Sequence, residues 1–331
     1  MYKNLNSWTL GISGRQSELI ELALTYGFRG IDIDIQDMIG RSESKGVEHA
    51  TRFLLSAQKL LRIGGFDLPV NWTGDEEAYK ADLAKLPHVA EMAAMVGAQG
   101  CVTTVLAASE NLPYQENFEL HRQRIAEMAG ILAQHDIRLG LTFESAPVHR
   151  EGKEYEFIFQ VEPLLTLIKT VSAENVGLVL DSWHWHIGGG GADQLTELKP
   201  EQIVSVRLAD IPDDVNLATI DDSQRVAPGD GGLIDCGAIV RALAEIGYEG
   251  PVSLFPYPSR FRNRTRDKTV QRATATLDSI WEAGGLSRFG RVEESADPVD
   301  GETNGESAAQ EGDSPPAEAA TAEQATTASS E

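Results

Sequence analysis

Residues 176–191 read VGLVLDSWHWHIGGGG, and this stretch carries most of the information about the fold. An apolar run ends on Asp181, then His184 and His186 follow within five residues, and four glycines come next. A short uninterrupted apolar run is typical of a strand that is buried on both faces, as in a parallel sheet. The segment therefore predicts a buried strand that carries polar side chains at its carboxyl end.

A β-rich run followed by a longer helical pattern recurs on both sides of this segment. The predicted strands are Leu5–Leu10, Gly30–Ile35, Ile63–Asn71, Gly100–Leu106, Arg138–Glu144, Val176–Asp181, Ile203–Asp210 and Gly250–Phe255. The helical patterns occupy Arg15–Tyr26, Lys45–Leu61, Glu76–Val96, Glu116–His135, Val161–Val171, Gln194–Leu198, Cys236–Ile246 and Lys268–Ala283. Glycine follows three of these helices just before a strand, as expected of helix C-caps. This alternation predicts a single (β/α)8 barrel over residues 1–288. An open doubly wound sheet is the alternative, and the lack of GxGxxG after the first strand argues against it.

The chain of 331 residues carries 28 Lys and Arg against 51 Asp and Glu, a formal net charge of −23. Residues 292–331 hold eleven of the acidic residues and no basic ones. Because this Ala-, Ser-, Thr- and Gly-rich stretch cannot bury a core, residues 289–331 are predicted to form a disordered acidic low-complexity tail. The acidic body repels a phosphate backbone, which argues against general nucleic-acid binding.

Cys101 and Cys236 are too few for a disulfide scaffold and form no CxxC motif. The N-terminal sequence MYKNLNSWTLG has no apolar signal core, and no run approaches the ~18 apolar residues of a membrane helix. These features predict a cytoplasmic protein without a membrane segment, which could form an oligomer.

In a (β/α)8 barrel the active centre lies at the carboxyl ends of the strands. Asp181 and His184 at such an end can bind a divalent metal or act as an acid–base pair. The structural alternative is that Asp181 caps the following turn while the His and Trp side chains simply pack. Asn71 ends the third predicted strand and, with Trp72, could contact a sugar, although a packed Trp is as plausible.

Several motifs in order make the chain resemble the xylose isomerase-like barrels, often called sugar phosphate isomerases/epimerases. The motifs are GFRGIDI (27–33), NFELHRQRIAEMAGILAQHDIRLGL (117–141), LDSWHWH (180–186), RVAPGDGGLID (225–235) and GYEGPVSL (247–254). The resemblance covers about residues 5–285. It implies one divalent metal (Mn, Mg, Co or Zn) held by a Glu, an Asp, a His and a second Glu on strands five to eight. It also implies that the His three residues after the Asp contacts substrate.

This chain departs from that implied ligand set. Asp181 and His184 match, but the first Glu position is Thr142, and Glu144 could serve only if the strand end shifts. Arg207 and Phe255 stand where the His and the second Glu are expected. Since a guanidinium stays protonated, it would repel a cation about 4 Å away by roughly 4 kcal/mol at an effective dielectric near 20. The sequence therefore predicts a metal site that is degraded or absent, unless a misalignment lets nearby groups such as Asp230 and Asp235 complete it.

Arg207 has two possible roles in place of a metal ligand. It could pair with Asp181 or Glu144 and replace the positive charge of the metal, or it could bind an anionic ligand. Arg225 and the basic stretch 259–268, which includes Arg260, could join Arg207 in receiving a phosphate or carboxylate. A solvated basic loop is the alternative for that stretch.

The sequence thus predicts an isomerase- or epimerase-like protein of carbohydrate metabolism that acts on a small polyol or keto-sugar. Glu144 and His184 are the candidate catalytic residues, and Asp181 and Glu144 the candidate metal ligands. The candidates for substrate contact are Asn71, Trp183, His186, Arg207, Asp210, Arg225 and Arg260. The alternative is a non-catalytic relative that binds a small ligand or a partner subunit.

Overall fold

The computed structural model describes residues 1–263 and 265–292. The predicted tail lies outside the described residues from position 293 onward. Its first residues, 289–292, are described, and Val292 forms a β-bridge with Leu286. None of the described helices combines the length and the hydropathy needed to cross a bilayer.

Among the described residues, nine strands form one parallel sheet, and two short strands form a separate pair. The sheet strands are β1 (Tyr2–Leu5), β2 (Gly30–Ile31), β3 (Arg62–Ile63), β4 (Phe66–Asp67), β5 (Gly100–Val105), β7 (Arg138–Phe143), β9 (Val176–Asp181), β10 (Ile203–Leu208) and β11 (Pro251–Leu254). The separate pair joins β6 (Ala108–Ser109) to β8 (Tyr155–Glu156) in antiparallel fashion, across the segment that holds β7.

The sheet closes through its third predicted strand. The strand order is β3-β2-β1-β11-β10-β9-β7-β5-β4, so its two ends are β3 and β4. Both pieces come from the single strand predicted over Ile63–Asn71, which Gly64 and Gly65 interrupt. Since β3 pairs with β2 and β4 pairs with β5, the third strand joins both edges and the predicted barrel is confirmed.

Helices follow the strands and cover the outside of the sheet. They are α1 (Gln16–Thr25), α2 (Ile35–Lys45), α3 (Val47–Ala57), α4 (Glu76–Leu83), α5 (Leu86–Met95), α6 (Tyr114–Ala133), α7 (Val161–Val171), α8 (Ser182–Ile187), α9 (Ala192–Leu195), α10 (Cys236–Glu245), α11 (Pro258–Phe261) and α12 (Arg266–Ala283). Short 3₁₀ turns lie at Pro147–His149, Pro200–Gln202, Leu217–Thr219 and Asp222–Gln224.

The helix boundaries follow capping chemistry. Asp34 and Asp75 accept backbone hydrogen bonds at the starts of α2 and α4. Gly27, Gly97 and Gly247 have φ of 78°, 82° and 82°, which confirms the three predicted glycine caps. These caps return the chain to the next strand, so that all strand carboxyl ends reach the same rim of the barrel.

Besides the interrupted third strand, the first two predicted strands were wrong in extent. The first was expected over Leu5–Leu10, but β1 ends at Leu5 and residues 7–11 form hydrogen-bonded turns. The second was expected to reach Ile35, but β2 ends at Ile31 because Asp34 caps α2. Both errors lie at the rim, where Asn6 and Asp32 leave the strands and enter loops.

Candidate functional site

A cavity of about 380 Å³ opens at the carboxyl ends of the strands, around Asp181. It is lined by Asn6, Trp8, Asp67, Thr104, Thr142, Glu144, His149, Asp181, His184, Arg207, Asp222, Arg225 and Phe255. We call it the Asp181 cavity. Its lining brings together five of the predicted site residues, which are Glu144, Asp181, His184, Arg207 and Arg225.

Asp181 ends β9 and has both carboxylate oxygens engaged. Oδ1 accepts hydrogen bonds from the backbone N–H groups of Trp183 and His184 at 3.1 and 3.3 Å. Oδ2 accepts a hydrogen bond from Arg225 Nη2 at 2.5 Å. Asp181 therefore caps the following helix and also forms an ion pair, and the residue is only 3% exposed. Burial alone would raise the pKa of Asp181, but the charge and hydrogen bond of Arg225, together with His184 and Arg207, hold this pKa below its ordinary value.

Arg225 is the buried cation of the cavity. It follows the 3₁₀ turn Asp222–Gln224 and reaches inward, with its guanidinium 5.0 Å from the ring centres of both Trp183 and Phe255. Its Nε donates to the backbone oxygen of Phe255 at 3.2 Å. A guanidinium carries five N–H groups in a fixed plane, and here they link Asp181 to the start of the loop after β11.

His184 lies between Arg225 and the loop that follows β7. Its Nε2 is 3.2 Å from Arg225 Nη1, and its Nδ1 is 3.1 Å from the hydroxyl of Ser145. The backbone N–H of Ser145 also donates to Nδ1 at 3.2 Å, so Nδ1 acts as an acceptor there, as the neutral ring allows. Burial lowers the pKa of His184 to about 4, which favours this neutral form at pH 7. The ring therefore positions Arg225 and is poorly suited to take a proton.

A row of three ionisable side chains crosses the cavity wall. His149 Nε2 lies 2.7 Å from Asp222 Oδ2, and His149 Nδ1 lies 3.6 Å from Glu144 Oε2. The contact with Asp222 raises the pKa of His149, and burial raises the pKa of Glu144. Asp222 also approaches Arg225 Nη1 at 3.9 Å. The row is thus continuous with the pair formed by Arg225 and Asp181.

The sequence analysis missed His149 and Asp222. His149 ends a 3₁₀ turn after β7, and Asp222 begins another after β10, so each is an ordinary polar loop residue in the sequence. The histidine's position five residues after the predicted strand Arg138–Glu144 was the one local signal that could have directed attention to it.

Arg207 has a different partner from the one predicted. The expectation that it pairs with Asp181 or Glu144 was wrong, because Arg225 forms the ion pair with Asp181. The guanidinium of Arg207 lies 4.3 Å from the ring centre of Phe255 and 3.6 Å from Asp67 Oδ1. Arg207 nevertheless lines the cavity at the boundary with its open side.

Five predicted contact residues lie outside the lining of the Asp181 cavity. Asn71 is exposed, and its backbone N–H donates to Asp82. Trp183 is completely buried, His186 is half-buried on α8, and Arg260 is exposed on α11.

Asp210 is also outside this lining. Its Oδ1 accepts hydrogen bonds from the backbone N–H groups of Ile211 and Ile234 at 2.7 and 2.9 Å. Asp210 therefore fastens the loop before α10 and does not face a ligand.

The donors around Asp181 differ from the ligand set that the resemblance implies. Of the four positions concerned, only Asp181 carries a carboxylate, and Arg225 occupies one of its oxygens. Thr142 and Phe255 line the same cavity without such a group. The alternative donors are engaged elsewhere, since Asp230 pairs with Arg272 and Asp235 caps α10. Across residues 1–263 and 265–292, no group of three or more His, Cys, Asp or Glu side chains is arranged to hold a metal ion. These residues do not fit a divalent cation.

Comparisons with known proteins agree with the fold. A family model described as "Xylose isomerase-like TIM barrel" matches residues 20–279. The inosose isomerase of Bacillus subtilis (strain 168) is 25% identical over 209 residues, which cover 62% of this chain and 71% of that protein. A xylose isomerase domain protein from Alicyclobacillus acidocaldarius has a TM-score of 0.75 at 24% identity, covering 85% of this chain and 98% of that one. A structure of an IOLI protein with a bound zinc atom has a TM-score of 0.69 at 21% identity, covering 86% and 98%.

Proposed function

The chain belongs to the xylose isomerase-like TIM barrel family, and from this premise we propose that it is a sugar isomerase- or epimerase-like enzyme in which protein side chains replace the metal. The substrate is a small polyol or keto-sugar bound in the Asp181 cavity. The observation that carries the proposal is the ion pair of Arg225 with Asp181, continued by the row Asp222, His149 and Glu144. The inosose isomerases among its relatives support the reaction class.

Positive charge is what a metal would contribute to such a reaction, and two guanidinium groups contribute it here. Removing a proton beside a carbonyl leaves negative charge on the carbonyl oxygen. Arg207 and Arg225 both line the cavity, where preorganised donors stabilise such an oxyanion. Arg225 is fixed by three contacts, so little reorganisation is needed when the charge develops.

Glu144 is the base in this proposal. It lines the cavity, and its raised pKa brings its basicity closer to neutral pH. The C–H bond beside the carbonyl breaks, its electron pair forms the double bond of the enolate, and Glu144 holds the proton. Returning the proton to the same carbon from the other face would give epimerisation, but it needs a second proton donor on that face, so the route through Glu144 alone is isomerisation. Returning it to the neighbouring carbon, with a matching shift of a hydroxyl proton, gives isomerisation. His149, 3.6 Å from Glu144, can exchange protons with it.

Hydrogen–deuterium exchange at carbon tests the proposal. Protein treated with a chelator is incubated in D₂O with a panel of ketoses and keto-cyclitols, and loss of C–H signal is followed by NMR. We expect exchange to persist after chelation and to fall by a factor of about 10² to 10⁴ in Glu144→Gln. Glu154→Gln, at an exposed position on the same loop, is the matched control. Exchange that returns only when a divalent metal is added would contradict a reaction carried by protein groups.

A non-catalytic ligand-binding relative is the second candidate. Phe255 favours it, because an aromatic ring stands where the resemblance implies a second carboxylate, so a two-base reaction lacks one partner. Saturable binding of a panel sugar with no exchange at any carbon, unaffected by Glu144→Gln, is the result that selects this candidate.

A further inference from the structure

A second cavity, of about 550 Å³, lies beside the Asp181 cavity. We call it the Asp32 cavity. It is formed mainly by the loop between β1 and α1, the turn between β2 and α2, and the residues around β4. Gly64 contributes by necessity, because a Cβ there would lie 2.2 Å from Asn4 Oδ1. Glycine at this position therefore leaves room for the Asn4 side chain.

The two cavities adjoin. Asn6, Trp8, Asp67 and Arg207 line both of them. Each volume lies within the roughly 300–1,000 Å³ of ordinary small-ligand pockets, so the Asp181 cavity alone accommodates one sugar ring. The Asp32 cavity offers further room that a single ring does not need.

Trp8 lies at the junction with 76% of its surface exposed. It is held in the loop between β1 and α1, where Thr9 donates to both Asn6 and the backbone of Leu254. An aromatic ring that lines two polar cavities and remains largely exposed offers an apolar face to the C–H side of a sugar ring.

Carboxylates outnumber guanidinium groups in the lining of the Asp32 cavity. Asp32 is held by the side-chain amides of Asn4 and Asn6, at 2.7 and 2.8 Å, one on each oxygen. An ionised carboxylate has lone pairs left after two such bonds, and these can accept from ligand hydroxyls. Burial, partly offset by these amides, raises the pKa of Asp32 to about 6, so it is ionised at pH 8.

The charge of this cavity disfavours anions. Its described lining holds four carboxylates, on Asp32, Asp34, Asp37 and Asp67, and two guanidinium groups. Arg41 pairs with Asp37 at 2.7 Å and Arg207 with Asp67 at 3.6 Å, so neither cation is free for a phosphate.

We propose that the site takes an uncharged two-ring ligand, a glycoside whose reacting ring occupies the Asp181 cavity and whose second ring stacks on Trp8 in the Asp32 cavity. This substrate class rests on the proposed function for the identity of the reacting ring. It replaces the expectation of an anionic ligand with a neutral, hydroxyl-rich one.

Calorimetric titration of the full chain at pH 8 tests the proposal, with glucose, glucose 6-phosphate, cellobiose, maltose and trehalose as probes. We expect at least one disaccharide to bind ten-fold or more tightly than glucose, and glucose 6-phosphate to bind more weakly than glucose. We call the ratio of the disaccharide affinity to the glucose affinity the disaccharide advantage, and Trp8→Ala should reduce it to less than three-fold. Phe289→Ala, at another exposed aromatic residue outside both cavities, is the control. Asp34→Asn removes one negative charge from the cavity and retains a capping side chain for α2. It should reduce the difference in affinity between glucose and glucose 6-phosphate.

The proposal is overturned if no disaccharide binds more tightly than glucose, or if Trp8→Ala leaves the advantage intact. Carbon exchange in D₂O, measured on the same samples, separates it from the proposed function. Exchange of single-ring sugars without a disaccharide advantage rejects the two-ring ligand alone. A Trp8-dependent disaccharide advantage without exchange supports the two-ring ligand and rejects the enzyme.

Discussion

Replacing Arg225 with methionine is the most direct perturbation of the site. Methionine keeps much of the side-chain length but removes the charge, so the Asp181 carboxylate, 2% exposed at its side chain, loses its cation. Breaking a buried ion pair by removing one partner costs about 3–5 kcal/mol, because the other charge stays buried without compensation. For a domain of this size, such a loss lowers the melting temperature by roughly 10 °C.

The loss depends on pH in a direction that the structure fixes. In the native protein the folded pKa of Asp181 is depressed, so its contribution is present above about pH 4 and is lost as the pH falls through the folded value. Without Arg225, burial raises the folded pKa above the unfolded value, and the penalty then grows as the pH rises above about 4. Urea unfolding of Arg225→Met should therefore show a larger loss at pH 7 than at pH 4.

Arg241→Met is the matched control, because Arg241 pairs with Glu245 at 3.0 Å on the surface of α10. An exposed pair of this kind contributes only about 0.3–0.5 kcal/mol. If Arg225→Met destabilises the protein no more than Arg241→Met does, or loses the same stability at both pH values, then Arg225 is not the counter-ion of a buried carboxylate.

Further predictions concern the base, the barrel interior and metals. In a pH–rate profile, the rate of carbon exchange should rise with pH through a pKa above that of an ordinary Glu, because Glu144 acts when ionised. His149→Gln should shift this rise to higher pH, because it removes a positive charge near Glu144. In urea unfolding, Gly64→Ala should lower the free energy of unfolding by about 1–3 kcal/mol, because the new Cβ meets the Asn4 amide. Gly40→Ala is the control, because a Cβ at this position in α2 has no neighbouring atom within 4 Å. It should raise the free energy of unfolding by about 0.5 kcal/mol. Millimolar Mn²⁺ or Zn²⁺ should leave the melting temperature within about 1 °C of the chelated protein, and a larger increase would show a cation bound to the native state.

The sequence predicted best those elements that local chemistry determines. The apolar run Val176–Asp181 is β9 residue for residue, because a strand buried on both faces has nothing but apolar side chains until it reaches the rim. The first strand failed for a related reason. Leu5–Leu10 mixes polar and apolar residues as a half-buried strand does, but its last two residues, Thr9 and Leu10, are buried within turns. Such a pattern reports which side chains are buried and does not fix the backbone conformation.

The site was harder to predict because its partners are distant in sequence. Asp181 was identified correctly, since it ends a buried strand and begins a helix. Its ion partner is 44 residues away in an irregular loop, whereas the predicted partner, Arg207, lies beside it in the register of β9 and β10. Register fixes which backbones are neighbours, but the direction of a long side chain depends on what surrounds it. Here Phe255 and Asp67 hold Arg207, which left Asp181 to Arg225.

The choice of Arg225 over Arg207 also determines what the site can bind. Trp183, Phe255 and His184 surround Arg225 and keep its guanidinium at the base of the cavity. The carboxylate of Asp181 balances its charge there. Arg207 keeps its guanidinium at the junction of the two cavities, where it can contact a ligand that enters either one. One arginine therefore holds the buried carboxylate, and the other, paired with Asp67, lies where the two cavities meet. A single metal ion would have to combine both roles at one position. In the function that we propose, this division is how two arginines take the place of a cation without leaving a buried charge unpaired.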